Sequence, residues 1–130
     1  MAEDVMTIRQ MCDAFEVTPR TLRFYESKEL LFPIREGTRR LFTRRDRARL
    51  TLILRGKRFG FSLEEIRQLL DLYDADPLHM RQLEAALEIG HARLDALTGQ
   101  RERLDDAIAE LREQLDRGRE RLDKVREKAA

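Results

Sequence analysis

The sequence predicts a mainly α-helical chain in two parts: a helical front that carries one short β-hairpin, and a single long coiled-coil helix behind it. Three observations predict this. Helix-opening signals recur at Thr7, Thr18, Thr43 and Ser62. The stretch Pro33–Phe42 breaks that rhythm with two short runs around Glu36-Gly37-Thr38. From Leu83 the sequence steps by four and three residues to Val125 without a slip, which is the heptad pattern of a coiled coil. Domain boundaries follow at 1–75 for the front and 76–130 for the long helix.

Composition narrows the functional class. Charged residues make up 39% of the 130 residues, with 6 Gly and 3 Pro, which favours solvated helices over a compact sheet protein. The net charge of +1 hides an asymmetry. Residues 1–60 hold 14 Lys/Arg against 8 Asp/Glu, and residues 61–130 hold 12 against 17. A basic front and an acidic rear suggest that the front alone meets nucleic acid. The single cysteine excludes an internal disulfide. No apolar run approaches the roughly 18 residues of a membrane span, and no signal-peptide core follows Met1. The expectation is a cytoplasmic protein with no membrane partner.

In chain order, Met1–Val5 reads as a loose tail. Met6–Phe15 reads as a helix, opened by Thr7 and Gln10 as a capping box, with Ile8, Met11, Cys12 and Phe15 as one apolar stripe. Cys12 lies in that stripe, as a small buried hydrophobe. A very short turn leads to VTPRTLRFYESKELL at 17–31. Here Thr18 is an N-cap, Pro19 suits the first helical position, and Val17 can staple to Leu22. At about 100° per residue, Arg20, Arg23, Phe24 and Ser27 share one face, with Leu22 and Glu26 roughly opposite. Such a helix can lie on a polyanion, and the tight helix pair suggests a helix-turn-helix.

Read as strands, Ile34–Arg35 and Arg39–Phe42 flank a turn, with Arg39 and Leu41 on one side and Arg40 and Phe42 on the other. A basic ribbon after a helix-turn-helix is a wing, able to touch phosphates beside a groove. Thr43, with Asp46 three residues on, opens a third helix over Arg44–Phe59 that stops at Gly60, with Leu50, Ile53 and Leu54 inward. Ten Lys/Arg and two acids lie between Arg35 and Arg58, a run that reads as a phosphate-contacting surface. Ser62 and Glu65 box a fourth helix over Phe61–Tyr73, with Ile66, Leu69, Leu70 and Tyr73 as its stripe. Asp74–Pro77 then breaks the chain.

The heptad seam includes Leu83, Leu87, Leu94, Leu97, Leu104, Ile108, Leu111 and Leu115. It spans roughly 65 Å, too long to bury on the front part, so it calls for a second copy; the alternative is a hairpin folded back at Thr98-Gly99. Arg101 sits in the seam and would face its own copy in a parallel pair, which favours antiparallel pairing. No nucleophile–base pair, metal-ligand cluster or phosphate-cradling glycine loop is present, which argues against an enzyme. Two readings remain: a dimeric, sequence-specific DNA-binding regulator, and an architectural coiled-coil protein that binds nucleic acid without sequence choice.

TPRTLRFYE at 18–26, LL at 30–31 followed by Pro33, the wing ending RRLF, and GFSLEEIRQLL at 60–70 together resemble the MerR family of bacterial transcription regulators. The likeness runs from Thr7 to about Leu72 and continues into the coiled coil. It implies a winged helix-turn-helix DNA-binding domain followed by a long antiparallel coiled-coil dimerisation helix. It implies a homodimer on a pseudo-palindromic promoter operator in double-stranded DNA, which it distorts so that RNA polymerase can engage. Carried over by position, Thr18, Arg20, Thr21, Arg23 and Phe24 belong to the recognition helix. Arg39 and Arg40 are wing contacts and Lys57 is a DNA-backbone contact; arginine suits both guanine readout and phosphate pairing.

Three positions depart from the family pattern. Glu29 stands where Gly is usual after the recognition helix; a left-handed conformation there costs about 1 kcal/mol. Thr38-Arg39-Arg40 replaces Gly-Tyr-Arg in the wing, so Arg39 takes the tyrosine's place. Phe24 replaces Tyr and loses a hydroxyl. Metal-sensing members place cysteines after the coiled coil or near it, and this chain has none beyond Cys12, which argues against soft-metal sensing. His79 and His91 are too far apart along one helix to share a metal and read as surface residues. No appended ligand domain and no pocket-forming residue set is visible, so no cofactor is expected and the effector is unknown. The stretch RRDRARLTLILRGKRFGFSLEEI at 44–66 resembles short members linked to leucine, isovalerate and acyl-CoA catabolism.

Overall fold

Four side-chain hydroxyls decide where the front helices begin. The computed structural model describes residues 4–74 and 80–130, apart from the Tyr73 side chain. Thr7 accepts from the Gln10 amide at 3.2 Å while its own amide donates to Gln10 Oε1 at 2.9 Å, and α1 (Ile8–Phe15) follows. The Thr18 hydroxyl accepts from Thr21 N at 3.1 Å and opens α2 (Pro19–Ser27). Thr43 and Asp46 cap each other at the start of α3 (Arg44–Phe59). Ser62 and Glu65 do the same at 3.1 and 2.8 Å before α4 (Leu63–Asp74). Each cap satisfies amides that the first helical turn leaves unpaired.

The helices stop at left-handed residues. Gly60 ends α3 with φ 83°. Glu16 caps α1 with φ 54°, and Glu29 follows α2 with φ 60°. Glu29 thus takes a left-handed conformation at the position where glycine is expected from the family pattern, and does so with a Cβ.

The wing is a hairpin of β2 (Ile34–Glu36) and β3 (Arg39–Phe42), with Glu36 paired to Arg39 across a two-residue loop. Gly37 supplies the positive φ, 65°, at the first loop position. A third strand, β1 (Met6–Thr7), extends the sheet in the order β1-β3-β2, with Met6 opposite Phe42 and Thr7 opposite Leu41. The helix expected over Met6–Phe15 therefore gives its first two residues to the sheet. Two residues carry no alternation signal, and their strand partner lies far along the chain.

The core gathers Met11, Leu22, Tyr25, Leu30, Leu31, Phe42, Leu50, Ile53, Ile66 and Leu70, with Ile8, Cys12, Phe15, Val17 and Leu54 packed against it. Most residues of the expected helical stripes are here, joined by Tyr25, by Phe42 of β3 and by Leu30-Leu31 from the loop after α2; Leu69 of the α4 stripe is half-buried and lies outside this cluster. Asp4 is not loose: its carboxylate pairs with Arg44 at 2.8 Å and Arg47 at 2.9 Å. The break expected at Asp74–Pro77, the boundary at 75–76, His79 and the Tyr73 side chain lie outside the described residues or begin at their edge.

The last helix, α5 (Met80–Ala129), is continuous through Thr98-Gly99. Thr98 turns its hydroxyl back to Leu94 O at 2.9 Å, and no hairpin forms. The chain divides into two units, Met1–Ile89 and Gly90–Ala130. Within the first, α3, α4 and the first turns of α5 line an apolar pocket of about 310 Å³, walled by Phe59, Phe61, Ile66, Leu69 and Leu83 with Arg55 and Gln82. No such set is visible in the sequence, because its residues come from three elements. In α5 no residue is buried. The seam residues from Leu83 to Leu115 are exposed, from 36% at Leu97 to 63% at Leu115.

Candidate nucleic-acid interface

One face of α2 is turned outward for a local reason. Leu22 and Tyr25 are buried, and burial pushes the Tyr25 hydroxyl pKa up. The helical repeat then sends Arg20, Arg23 and Phe24 outward. Neither Arg20 nor Arg23 has an ion-pair partner among the described residues. Phe24 is 44% exposed, with Lys28 Nζ 5.6 Å from its ring centre. Thr18 is exposed and Thr21 half-buried, and their hydroxyls are 2.9 Å apart. The five positions expected on a recognition helix therefore fall on one end and one face of α2.

The wing arginines separate. Arg39 is exposed. Arg40 is half-buried, and its Nε lies 2.5 Å from Glu26 Oε1 on α2. Arg35, its direct cross-strand partner, sits 3.6 Å from the other oxygen of the same carboxylate. Two like charges facing each other across a hairpin repel; Glu26 between them offsets part of that repulsion and ties the wing to α2. Arg40, expected as a wing contact, is half-buried and ion-paired to Glu26, which links the wing to α2.

The same sorting runs through the basic stretch from Arg35 to Arg58. Six of its ten cations are paired within the fold: Arg35 and Arg40 with Glu26, Arg44 and Arg47 with Asp4, and Arg45 and Arg49 with Asp74. Arg39, Arg55, Lys57 and Arg58 are exposed and have no ion-pair partner among the described residues. Within the expected phosphate-contacting run these four are exposed without an ion pair among the described residues, while Arg35, Arg44 and Arg45 are exposed and ion-paired. Arg49 by contrast is 3% exposed and belongs to the interior.

Composition gave no sign of the loop that leaves α2. Arg67 of α4 donates to Lys28 O and to Glu29 O. Arg49 donates to Leu30 O at 2.8 Å, and Asp46 accepts from Phe32 N at 2.9 Å. Three side chains from α3 and α4 thus fix the loop in which Glu29 takes its left-handed φ. Over-determined surroundings of this kind are what sustain a strained residue. Asp46 was legible as a cap; its second oxygen, turned to the loop, was not.

Cys12 is half-buried, and burial raises its thiol pKa, with Asp13 adding and Arg23 opposing. At neutral pH it is a thiol, a poor nucleophile and metal ligand. Among the described residues no three of His, Cys, Asp and Glu are grouped to hold a metal ion. No helix among them is long and apolar enough to cross a membrane.

Comparisons with known proteins agree with this geometry. Residues 6–72 match the model of the MerR HTH family regulatory proteins, and residues 47–114 match a second model described as MerR, DNA binding. The transcriptional regulator ZntR of Escherichia coli K12 is 34% identical over 77% of this chain and 78% of its own. A MerR-family regulator from Bacillus cereus superposes with a TM-score of 0.69 at 30% identity, covering 84% of this chain and 78% of that one. HiNmlR, a MerR-family regulator lacking the sensor domain and bound to promoter DNA, superposes with a TM-score of 0.59 at 25% identity, over 86% of this chain and 79% of that one.

Proposed function

Because the chain belongs to the MerR family of helix-turn-helix transcription regulators, we propose that it works as a homodimer that reads a pseudo-palindromic promoter operator and distorts the DNA between the half-sites. The observation that carries this is the outward face of α2. Arg20 and Arg23 stand there without an ion-pair partner among the described residues, beside Phe24, while most arginines of the neighbouring basic stretch are paired internally. Arginines left without internal carboxylates are available for guanine edges and phosphates. Arg39 from the wing and Lys57 from α3 supply backbone contacts beside the groove. A relative of similar fold is bound to promoter DNA, which supports the same use of this surface.

The exposed seam of α5 supports the dimer, and its charges favour an antiparallel one. Residues 105–116 carry five acids and one base; residues 117–129 carry six bases and three acids. A parallel pair sets each block against its own copy, with like charge on like. Full-length antiparallel pairing sets 105–116 against 93–104, where bases outnumber acids three to two. It sets 117–129 against 80–92, which has two acids and one base. Both juxtapositions are attractive. RNA polymerase at the same promoter and a cytoplasmic location follow from this role. A narrower place among regulators of leucine, isovalerate and acyl-CoA catabolism rests on residues 44–66 alone.

Footprinting on the DNA upstream of the protein's own gene tests the proposal. Two half-sites on one DNA face are expected, with affinity over random duplex of about 10³-fold or more and a steep salt dependence. Equal affinity for every duplex overturns it in favour of the non-specific architectural protein. The genes that lie downstream of the protected sites decide the narrower kinship.

A further inference from the structure

The buried guanidinium of Arg49 touches two distant parts of the head. One side donates to Leu30 O at 2.8 Å and lies 5.3 Å from the Phe32 ring, in the loop leaving α2. The other donates to Asp74 at 2.6 Å. Asp74 is the last residue of α4, and the chain leaves it for α5. The Arg49 side chain is 4% exposed, so water screens these contacts little. Asp74 also receives Arg45 at 2.7 Å, but that side chain is 65% exposed.

We propose that Arg49 is a positioning residue that couples the end of α4, from which the dimerising helix departs, to the orientation of α2 on DNA. The proposal rests on the reading of α2 as the helix that meets DNA. Its physical basis is the planar guanidinium, which holds a carbonyl and a carboxylate at once in a fixed fork; a lysine ammonium is a point charge that cannot keep both in that geometry. Displacement of Asp74 pulls on Leu30 O through one rigid group. Leu30 N is itself bonded to Tyr25 O at 2.9 Å, and Glu29 N to Glu26 O at 2.9 Å. The pull therefore arrives at the last turn of α2, next to Glu26, which holds the wing. One side chain thus links the exit toward the dimer to both DNA-facing elements.

The test uses the full-length protein with D74N, R49K and their combination, and R45Q as a control on the same carboxylate. Two quantities are read: amide hydrogen exchange over Lys28–Leu31 without DNA, and the ratio of operator to random-duplex affinity. D74N is expected to speed exchange at those amides and to lower the ratio about tenfold, a usual size for coupling between sites. R45Q should leave both within about twofold. D74N added to R49K should have little further effect, because the link is already cut. Unchanged exchange in D74N, or full additivity of D74N and R49K, overturns the proposal. D74N alters an accessible side chain and keeps the test decisive if R49K folds poorly. A wild-type protein without operator preference overturns the DNA-reading role of α2 and the DNA half of this proposal with it. The exchange data then still decide whether Arg49 couples the two ends.

Discussion

The front unit and the rear helix draw on the same residue types and use them in opposite ways. In the front, ten hydrophobic side chains among the described residues are buried, and six arginines of one basic stretch are ion-paired, two to each of three carboxylates. In Gly90–Ala130 no residue is buried, and Leu94, Leu104 and Leu115 are 56%, 60% and 63% exposed. A leucine taken fully out of water is worth roughly 1.5–3 kcal/mol, so the rear helix leaves most of its stabilisation unrealised as a single chain. The front buries a core of its own and leaves a set of cations without internal carboxylates among the described residues; the rear leaves an apolar seam exposed. The first remainder suits a polyanion, and the second suits another helix.

The hardest way to break this contrast is to charge the seam. Leu104→Asp near its centre is expected to give a monomer by sedimentation while the front unit keeps its fold. Operator affinity should fall by about 10²-fold or more, because the second half-site loses its high effective concentration. A monomer that still binds the full operator tightly would show that the two parts work independently. Arg23→Ala makes the reciprocal change in the front. It should remove about 1–3 kcal/mol of base discrimination and leave the dimer intact; unchanged selectivity in a binding assay takes Arg23 out of the readout.

Glycine-to-alanine changes sharpen the contrast at a smaller scale. A Cβ on Gly56 of α3 would sit 2.9 Å from Ile66 Cγ1, whereas one on Gly90 or Gly118 meets nothing within 4 Å. Gly90→Ala and Gly118→Ala should each stabilise α5 by about 1 kcal/mol. Gly56→Ala should lose that gain or more to overpacking. Thermal unfolding reads both, and a Gly56→Ala protein as stable as the Gly90→Ala and Gly118→Ala variants would mean that α3 and α4 pack loosely.

How much of this was legible in the sequence depended on distance along the chain. The capping pairs Thr7–Gln10, Thr43–Asp46 and Ser62–Glu65 are three residues apart, so the helix starts could be read directly. The stripes on α1 to α4 recur at the helical period, so Met11, Leu22, Leu50, Ile53, Ile66 and Leu70 could be assigned to the core. The exposed face of α2 followed from the same geometry. Ion-pair partners could not be read. Nothing local distinguishes Arg40, held by Glu26, from Arg39, which is left exposed. Nothing local marks Arg49 as more interior than Arg44, Arg45 and Arg47, which are exposed or half-buried. The two-residue strand β1 and the pocket beside Phe59 were hidden for the same reason, since each exists only when distant segments meet.

The smallest expected effect lies at Glu29, where this chain replaces the family's usual glycine. Its φ of 60° costs an L-residue about 1 kcal/mol, and Glu29→Gly removes that cost. The same change loosens the unfolded chain and returns about 0.4–1 kcal/mol to it. The net stabilisation should therefore be a few tenths of a kcal/mol, measurable as a small shift in the urea midpoint. The informative half is the DNA affinity. The loop is held through the carbonyls of Lys28, Glu29 and Leu30 and the amide of Phe32, and none of these anchors uses the Glu29 side chain. Operator affinity should then stay within about twofold of wild type. A larger loss would mean that the Glu29 side chain, and not its backbone, sets the end of α2.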